Sequence, residues 1–299
     1  MPLADILNGC AYAVVGGLIY GLYFSLIGLG LNLIFGVMRI VNLAHGDFLM
    51  LGAFAAFFAF QLAGISPLVS VLFVFVLFAI LTFPLYYLLV PRLLKARDPE
   101  MLSIILFFGF SQVVEALATI AFGTSERSIP GRALAVGPIE ILGQSFPKTW
   151  VISAGVSLAA VLFIYLYLYR TRLGYLTRAV MVHREEAVST GIDVHRISAI
   201  AFGIGLGLAA VAGVFAPFML TIVTPAMGVD VTISSFAVIV IGSLGNPLGT
   251  VLGGVLYGVS YMFMQTFFSS WANLLPYLVL IAVLLLRPSG LLGRQVRRA

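Results

Sequence analysis

"VLFVFVLFAILTF", residues 71–83, decides the fold class because it is apolar almost throughout and shows no alternation. A strand of a membrane β-barrel alternates polar and apolar residues over about ten positions. This run does not, and no Asp, Glu, Lys or Arg occurs between Asp47 and Arg92. The stretch therefore predicts a membrane-spanning helix, which satisfies all its backbone hydrogen bonds internally.

The whole chain has the same character. Of its 299 residues, 62% are hydrophobic and 9% are charged, and the mean hydropathy is +1.14. A soluble domain carries roughly 25% charged residues, so this chain has too little polar surface to cover a water-soluble globule. The net charge of +5 comes from basic residues in short loops between apolar runs. It therefore indicates membrane orientation and no nucleic-acid partner.

Eight apolar segments are long enough to cross a bilayer, which takes about 20 residues. They fall near 10–37, 43–64, 67–90, 101–122, 149–169, 196–220, 247–268 and 272–287, and a shorter segment occupies 230–244. We predict an all-α, polytopic transmembrane helix bundle of about eight spans plus a short or re-entrant helix. Residues 1–299 should form a single domain.

Basic loops assign the two sides of the membrane. One cluster lies at 92–97 and a second at 170–196, and the third comprises Arg287, Arg294, Arg297 and Arg298 in the tail. With all three in the cytoplasm, the N-terminus and 123–148 lie outside. The segment 221–270 must then begin and end outside, so it contains two passes or a re-entrant pair.

The turn within that segment is "GSLGNPLG", residues 242–249. Asn246 is a good helix N-cap and Pro247 a good first helical residue. We expect 230–244 to be a short or broken helix that meets Gly245 within the membrane. Irregular backbone is tolerated there only when it is buried in protein or lines a water-filled cavity. Ser235 and Phe236 would then belong to an uncharged translocation path.

A second polar cluster, "NLAHGD", residues 42–47, precedes the apolar run that ends at residue 60. Asn42 can cap the helix that follows, and Asp47 can sit in its first turn, where the helix dipole favours a carboxylate. His45 can bond to Asp47 or to backbone. We predict that this cluster marks a cytoplasmic mouth, either as a plain helix start or as part of a transport path.

The longest polar stretch with helical spacing is "GYLTRAVMVHREEAVSTGIDVHR", residues 174–196. Apolar positions at helix spacing would form one face of a single helix, and Gly191 would end it; they are Leu176, Val180, His183, Ala187 and Val188. Such a helix lies at the membrane surface or docks on another protein; a solvated loop helix is the alternative.

No motif for catalysis is found. A Walker A loop needs G-x-x-x-x-G-K-[ST], and neither Lys95 nor Lys148 follows such glycines. HExxH and GxSxG are also missing from the sequence, and its three histidines lack metal-ligand spacing. We therefore expect a chain that is not an enzyme and binds no cofactor itself.

The chain resembles the LivH-type permeases of ABC importers for branched-chain amino acids. The resemblance rests on "GLGLNLIFGVMRIVNLAHGDFLMLGA" (28–53), "RAVMVHREEAVSTGIDVHRISAIAFGIGLGLAAVAGVF" (178–215) and "IGSLGNPLGTVLGGVLYG" (241–258). It implies a multi-pass permease of the bacterial inner membrane. Its partners would be a second, homologous permease subunit, two ATPase subunits that bind ATP and Mg, a substrate-binding protein and membrane lipid.

The resemblance also implies that 174–191 is a cytoplasmic coupling helix that docks on the ATPase. Permeases of this kind often carry an "EAA-x-x-x-G" signature there. Here the matching residues are Glu185, Glu186, Ala187 and Gly191, with Glu in place of the first Ala. Substrate is less defined, because related permeases carry urea, short amides or aromatic acids.

Glu115, in "FFGFSQVVEALATIAFG", is the deepest carboxylate expected in the membrane. Because a charge near mid-bilayer costs a few kcal/mol on insertion scales, we expect it to face the bundle, with Gln112 on the same face. It would be a hydrogen-bonding group or a point on the path. The competing interpretation is an ion-coupled secondary transporter, in which Glu115 would be the ion site. A third interpretation is a passive channel.

Overall fold

The computed structural model describes residues 3–287 and 289–293. The predicted basic tail residues Arg294, Arg297 and Arg298 lie outside the described residues. Eleven α-helices occur in the described chain: α1 Leu3–Met38, α2 His45–Ala63, α3 Pro67–Leu93, α4 Pro99–Phe122, α5 Lys148–Arg170, α6 Arg172–Val182, α7 Arg184–Ser189, α8 Val194–Met219, α9 Met227–Gly242, α10 Pro247–Phe267 and α11 Leu275–Leu286.

The minor elements lie on one side of the bundle. Between α4 and α5, a 3₁₀ turn at Gly131–Ala133 precedes a hairpin of β1, Pro138–Ile141, and β2, Gln144–Pro147. A second 3₁₀ turn, Ser269–Leu274, leads into α11. Eight helical segments are long and apolar enough to cross a membrane, the last being Ser269–Leu286. The predicted helical class and eight spans are therefore confirmed.

Small residues bring the central helices together. The antiparallel pair α1 and α10 touches where a Cβ on Gly17 or Gly21 would overlap the backbone of Val259 or Val255. Helices in a membrane associate through close backbone packing of this kind, because burial of apolar surface provides little driving force in lipid. The α8 helix is also almost fully enclosed, whereas α3, α4 and α11 expose most of their surface.

Helix α9 is short but continuous. It ends at Ser243, whose φ is 115°, and runs antiparallel to α10. The Tyr257 hydroxyl donates to Ser234 Oγ at 3.2 Å near one end of the pair, and Gly242 meets Gly249 at the other. The predicted short helix is confirmed. It has no internal break and passes from the loop after α8 to the turn before α10.

Candidate translocation path and coupling segment

The "NLAHGD" cluster lies inside the bundle. Asn42 and His45 are fully buried, and Asp47 is 1% exposed. His45 Nε2 lies 3.0 Å from the carbonyl oxygen of Ile27, about 16 Å before the end of α1 at 1.5 Å per residue. The cluster was predicted to lie at the cytoplasmic mouth, and this position is wrong because the cluster lies deeper in the bundle. The segment 39–44 turns back along α1, so α2 starts near the middle of the membrane.

Helix α4 gives a second measure of this depth. Val41 N–H donates to Ser103 Oγ at 2.9 Å, close to the start of α4. Ser111 and Glu115, one turn apart near the middle of α4, lie beside the Asp47 carboxylate. Because both helices place Asp47 at mid-membrane, the cluster is an interior polar site.

Asn42 does not cap α2. Its Oδ1 accepts a hydrogen bond from the N–H of Ala44 at 3.1 Å, and Ala44 occupies the N-cap position without a side-chain bond to the helix. Asn42 instead closes a tight turn before the helix, as Asn side chains commonly do. The capping role predicted for Asn42 is wrong, whereas Asp47 does lie in the first turn of α2.

Asn42 Nδ2 and His45 Nδ1 have no hydrogen-bond partner within the described chain. The Asp47 carboxylate oxygens have none within 3.5 Å, and the side chain of Ser111 is their nearby donor. Buried polar groups are nearly always paired, and an unpaired one costs about 1–3 kcal/mol or more. The cluster therefore has unused capacity to bind a polar group.

The first turn of α9 covers this cluster. The N–H of Gly46 donates to Thr232 Oγ1 at 2.8 Å, and the Thr232 hydroxyl lies 3.1 Å from the Leu43 carbonyl oxygen. A Cβ on Gly228 would overlap Oδ1 of Asp47. Glycine is therefore needed at Gly228 for α9 to approach α2 this closely.

The two predicted path residues further along α9 are less available. The Ser235 hydroxyl is buried and donates to the Val231 carbonyl at 2.7 Å, one turn earlier. Phe236 is half-buried. Neither is joined to the Asp47 cluster by a hydrogen bond in the described chain.

The predicted turn at the start of α10 is confirmed. Asn246 Oδ1 accepts from the N–H groups of Leu248 and Gly249, each at 3.1 Å, and Pro247 begins the helix. Gly245 has a φ of 76°, which glycine adopts without strain. Asn32 of α1 bonds the backbone of Gly245 and Asn246 and the hydroxyl of Thr250. The turn is thus fixed to the centre of the bundle.

Glu115 and Gln112 face different ways. Glu115 is half-buried, as expected, whereas Gln112 is exposed. The prediction that both share the interior face is wrong, because the buried face of α4 runs through Ser103, Phe107, Ser111 and Ala118. An amide exposed midway along a membrane span calls for a protein or water partner.

The segment 174–191 is two helices in place of the predicted one. Helix α6 ends at Val182, His183 is extended at φ −143° and ψ 97°, and α7 begins at Arg184. Glu185 and Glu186 occupy the first turn of α7, where carboxylates favour a helix start. This acidic pair explains the new helix.

The break changes which residues face outward. Val180 and Ala187 are buried against the chain itself, at 2% and 4% exposure, and Leu176 is half-buried. His183, Glu185 and Glu186 are exposed. Val180 and Ala187, predicted to share one docking face with Leu176 and His183, therefore pack within the permease and do not form one exposed face with them, and docking on an ATPase stays a prediction. The exposed surface of α7 comprises Glu185, Glu186, Val188 and Ser189.

Gly191 ends α7 as predicted. Its φ is 84°, its N–H donates to the Val188 carbonyl and the N–H of Ile192 donates to the Ala187 carbonyl, each at 3.0 Å. This pair of bonds is the Schellman arrangement, which favours glycine at its left-handed position.

Arg184 connects this segment to two long helices. Its guanidinium lies 3.4 Å from the carbonyl oxygen of Val37 at the end of α1 and 3.4 Å from Ser198 Oγ near the start of α8. Burial lowers the pKa of Arg184, but arginine stays protonated at neutral pH. A displacement of α7 would therefore reach α1 and α8 directly.

A cavity that the sequence did not predict lies at the opposite end of the bundle from α6 and α7. It has a volume of about 480 Å³ and lies between α1, α9, α10 and the start of α11. Asp230, Ser234 and Tyr257 give it polar groups, while Phe24 and Val231 belong to its apolar walls. The single carboxylate at the start of the short helix, Asp230, is the signal that could have indicated it.

The described residues contain no group of three or more His, Cys, Asp or Glu side chains that could hold a metal ion. The site is therefore built from hydrogen-bonding groups, isolated carboxylates and apolar walls.

The family described as branched-chain amino acid transport system / permease component matches residues 13–284. The high-affinity branched-chain amino acid transport system permease protein BraD of Pseudomonas aeruginosa is 30% identical, over 94% of this chain and 95% of the relative. The probable branched-chain amino acid transport permease protein LivH of Methanocaldococcus jannaschii is 28% identical, over 93% and 91%. The LivH protein of Escherichia coli K12 is 25% identical, over 93% and 94%.

No solved structure matches the chain. The family match nevertheless covers most of the chain, including every helix from α2 to α10, and the relatives match over nearly their full length. With eight apolar spans in one bundle, this chain belongs to the branched-chain amino acid transport permease family.

Proposed function

We propose that the chain is the permease subunit of an ATP-driven importer for branched-chain amino acids in a bacterial inner membrane. The observation that carries this proposal is the match to the permease family over residues 13–284, with relatives named for branched-chain amino acid transport. The chain is a multi-pass membrane protein. Solute crosses through its interior, and energy comes from other subunits.

Two ATPase subunits would bind ATP and Mg and dock on the cytoplasmic segment of α6 and α7. The exposed side chains of α7 support this role, because a docking surface must be free of contacts within its own chain. The Arg184 contacts to α1 and α8 support a mechanical link from that surface into the membrane. A substrate-binding protein would deliver the amino acid from outside.

A second, homologous permease would cover the outer face of α4. Gln112 is exposed near the middle of this span, and Gly109 one turn earlier has open space around it. Polar and small residues on one face are typical of helix contacts within membranes. The Asp47 cluster lies just behind this face, which supports a path at or near the boundary between the two permeases.

The proposal is tested by reconstituting the chain with its ATPases, second permease and binding protein in proteoliposomes. We expect uptake of labelled leucine that requires ATP and the binding protein. Uptake that needs an ion gradient and no ATP would instead support a secondary transporter. Uptake that only equilibrates leucine would support a channel, and transport of urea, an amide or an aromatic acid in place of leucine would contradict the substrate.

The position of the second permease is tested separately by crosslinking. A photoreactive amino acid at Gln112 should crosslink to the partner permease within the assembled complex. The same amino acid at Leu72, 72% exposed on α3, is the matched control and should crosslink far less. Equal crosslinking at both positions would contradict the assignment of the α4 face.

A further inference from the structure

We infer that the outer cavity is a binding site for a neutral, branched-chain α-amino acid, with Asp230 holding its ammonium group. The inference rests on the proposed function, since it names where the permease first holds its substrate. The cavity volume of about 480 Å³ lies within the roughly 300–1,000 Å³ typical of small-molecule sites.

The walls of the cavity carry aromatic and aliphatic side chains. Phe24, Tyr257 and Tyr261 form an aromatic wall, with Phe24 and Tyr257 packed edge to face at 4.6 Å between ring centroids. Ile27, Met227 and Val231 add aliphatic surface. A branched alkyl side chain gains about 25 cal/mol for each Å² that it buries on such walls, so these residues favour leucine-like side chains.

One charged side chain, Asp230, lines the cavity within the described chain. Asp230 is exposed to solvent and makes no side-chain hydrogen bond or ion pair with a described residue, so its carboxylate is available to a ligand. An ammonium group pairs with a carboxylate and is also attracted to neighbouring aromatic faces. A ligand with a second negative charge in its side chain would meet both Asp230 and apolar walls, and is excluded.

Hydrogen-bond donors are available for the ligand carboxylate. The hydroxyl of Tyr277 and the amide of Asn273 lie on the wall formed by the 3₁₀ turn and the start of α11. Both residues are exposed, so they retain water until a ligand displaces it. These residues follow α10 at the end of the bundle that the basic-loop assignment places outside, where the substrate would arrive.

The cavity adjoins the interior polar cluster. Ile27 lines the cavity while its carbonyl oxygen bonds His45. The start of α9, residues 228–232, has Asp230 and Val231 on the cavity side and Gly228 and Thr232 against Asp47 and Gly46. One helical turn thus separates the two sites. A bound amino acid would reach the unpartnered Asp47 and Asn42 groups when that turn moves.

The test places a single thiol in the cavity. Cys10 is the one cysteine of the chain, so Ser234→Cys in a Cys10→Ala background provides a unique target. The complete importer is labelled from outside with a membrane-impermeant thiol reagent, with and without L-leucine. We expect saturating leucine to slow labelling several-fold, and L-glutamate or 4-methylpentanoate, which lacks the ammonium group, to leave the rate unchanged.

A second variant isolates Asp230. Asp230→Asn should lose the protection by leucine, measured against its own labelling rate without leucine, whereas Glu140→Gln, a carboxylate change in the hairpin, should keep that protection. Leu142→Cys, at an exposed hairpin position, should label at a leucine-independent rate. Labelling of the Ser234→Cys variant at a rate that ignores leucine, or protection that survives in Asp230→Asn, would overturn the site.

The outcomes also separate the site from the function. Protection by leucine without ATP-driven uptake would support the proposed binding site and contradict the proposed importer function. ATP-driven leucine uptake without protection would keep the importer and reject the site.

Discussion

Gly228 of α9 and Asp47 of α2 are in direct contact, and a Cβ at Gly228 would occupy the position of the Asp47 Oδ1 atom. The contact closes the interior polar cluster against the outer cavity. Because Gly46 also meets the backbone of Gly228, the interface has no room for side-chain adjustment.

We therefore predict that Gly228→Ala impairs transport. The added methyl must displace α9 or the Asp47 carboxylate, and overpacking of this kind costs about 1–3 kcal/mol. Uptake of leucine should fall severely while the protein still reaches the membrane. Gly155→Ala, at a position with open space, is the control and should transport normally. Full uptake by Gly228→Ala would show that this contact does not limit transport.

The turn before α10 should depend on Asn32 more than on its own cap. Asn246→Ala removes an N-cap, which typically costs about 1 kcal/mol. Asn32→Leu leaves backbone groups of Gly245 and Asn246 and the Thr250 hydroxyl without this partner, and each buried unpaired group costs about 1–3 kcal/mol. The midpoint of thermal unfolding in detergent should therefore be lower for Asn32→Leu than for Asn246→Ala. The control Asn8→Ala, at an exposed position, should leave the midpoint unchanged. The opposite ranking would contradict the role of Asn32.

In the cytoplasmic segment we predict that Val188→Asp weakens ATPase binding. Val188 is 58% exposed on α7, so the change should not disturb packing within the permease. Co-purification of the ATPase should fall, with a normal amount of permease in the membrane. Tyr175→Asp on the exposed side of α6 is the comparison within the same segment, and an equal loss there would show that α6 contributes as much to the contact as α7.

Gly191 provides a separate prediction, because its φ of 84° is unfavourable for other residues. Gly191→Val should strain the end of α7 and uncouple ATP hydrolysis from uptake, whereas Gly191→Asn should be milder, since Asn tolerates this conformation. Hydrolysis and uptake measured in the same proteoliposomes decide the matter. If Val and Asn behave alike, backbone strain is not the cause.

Orientation is checked by cysteine labelling in the Cys10→Ala background. An external, impermeant reagent should label Leu142→Cys in the hairpin and should not label Thr190→Cys beside α7 unless the membrane is permeabilised. The basic residues of 92–97 and 170–196 are the physical reason for this expectation. Labelling of position 190 from outside in sealed vesicles would invert the topology.

We expect Glu115→Gln to retain most leucine uptake. Within the described chain no cationic side chain forms an ion pair with Glu115, so a neutral hydrogen-bonding group should serve in its place. Glu115→Leu, which removes hydrogen bonding beside Asp47, should be clearly worse. Complete loss of uptake in Glu115→Gln, with normal assembly and ATP hydrolysis, would indicate that its charge is required.

Local signals in the sequence were sufficient for part of this structure. Asn246 and Pro247 act through their own backbone neighbours, so the start of α10 could be predicted, and Gly191 likewise. The depth of His45 and Asp47 could not, because it depends on Ile27, Gly228 and Thr232, which are distant along the chain. The position of Gln112 on α4 was wrongly predicted for the same reason. Residue spacing places side chains on one face of a helix but does not show which helices that face contacts.

The segment 174–191 shows an intermediate case. Its helical character and its end were correctly predicted, but the spacing of Val180, His183 and Ala187 suggested one unbroken helix. The acidic pair Glu185 and Glu186 favoured a new start that spacing alone does not reveal. The buried positions then belonged to the permease itself, which changes the residues available to a partner.

The contact between Gly46 and Thr232 also constrains the order in which the chain assembles. Thr232 is synthesised long after α1 and α2 have left the ribosome, and until then the polar groups of 42–47 lack the hydrogen bonds and the cover that α9 provides. Unpaired polar groups are costly in lipid, so we expect this segment to wait at the membrane surface during synthesis. It would move inward only when α9 is inserted, so the middle of the bundle would form late in synthesis.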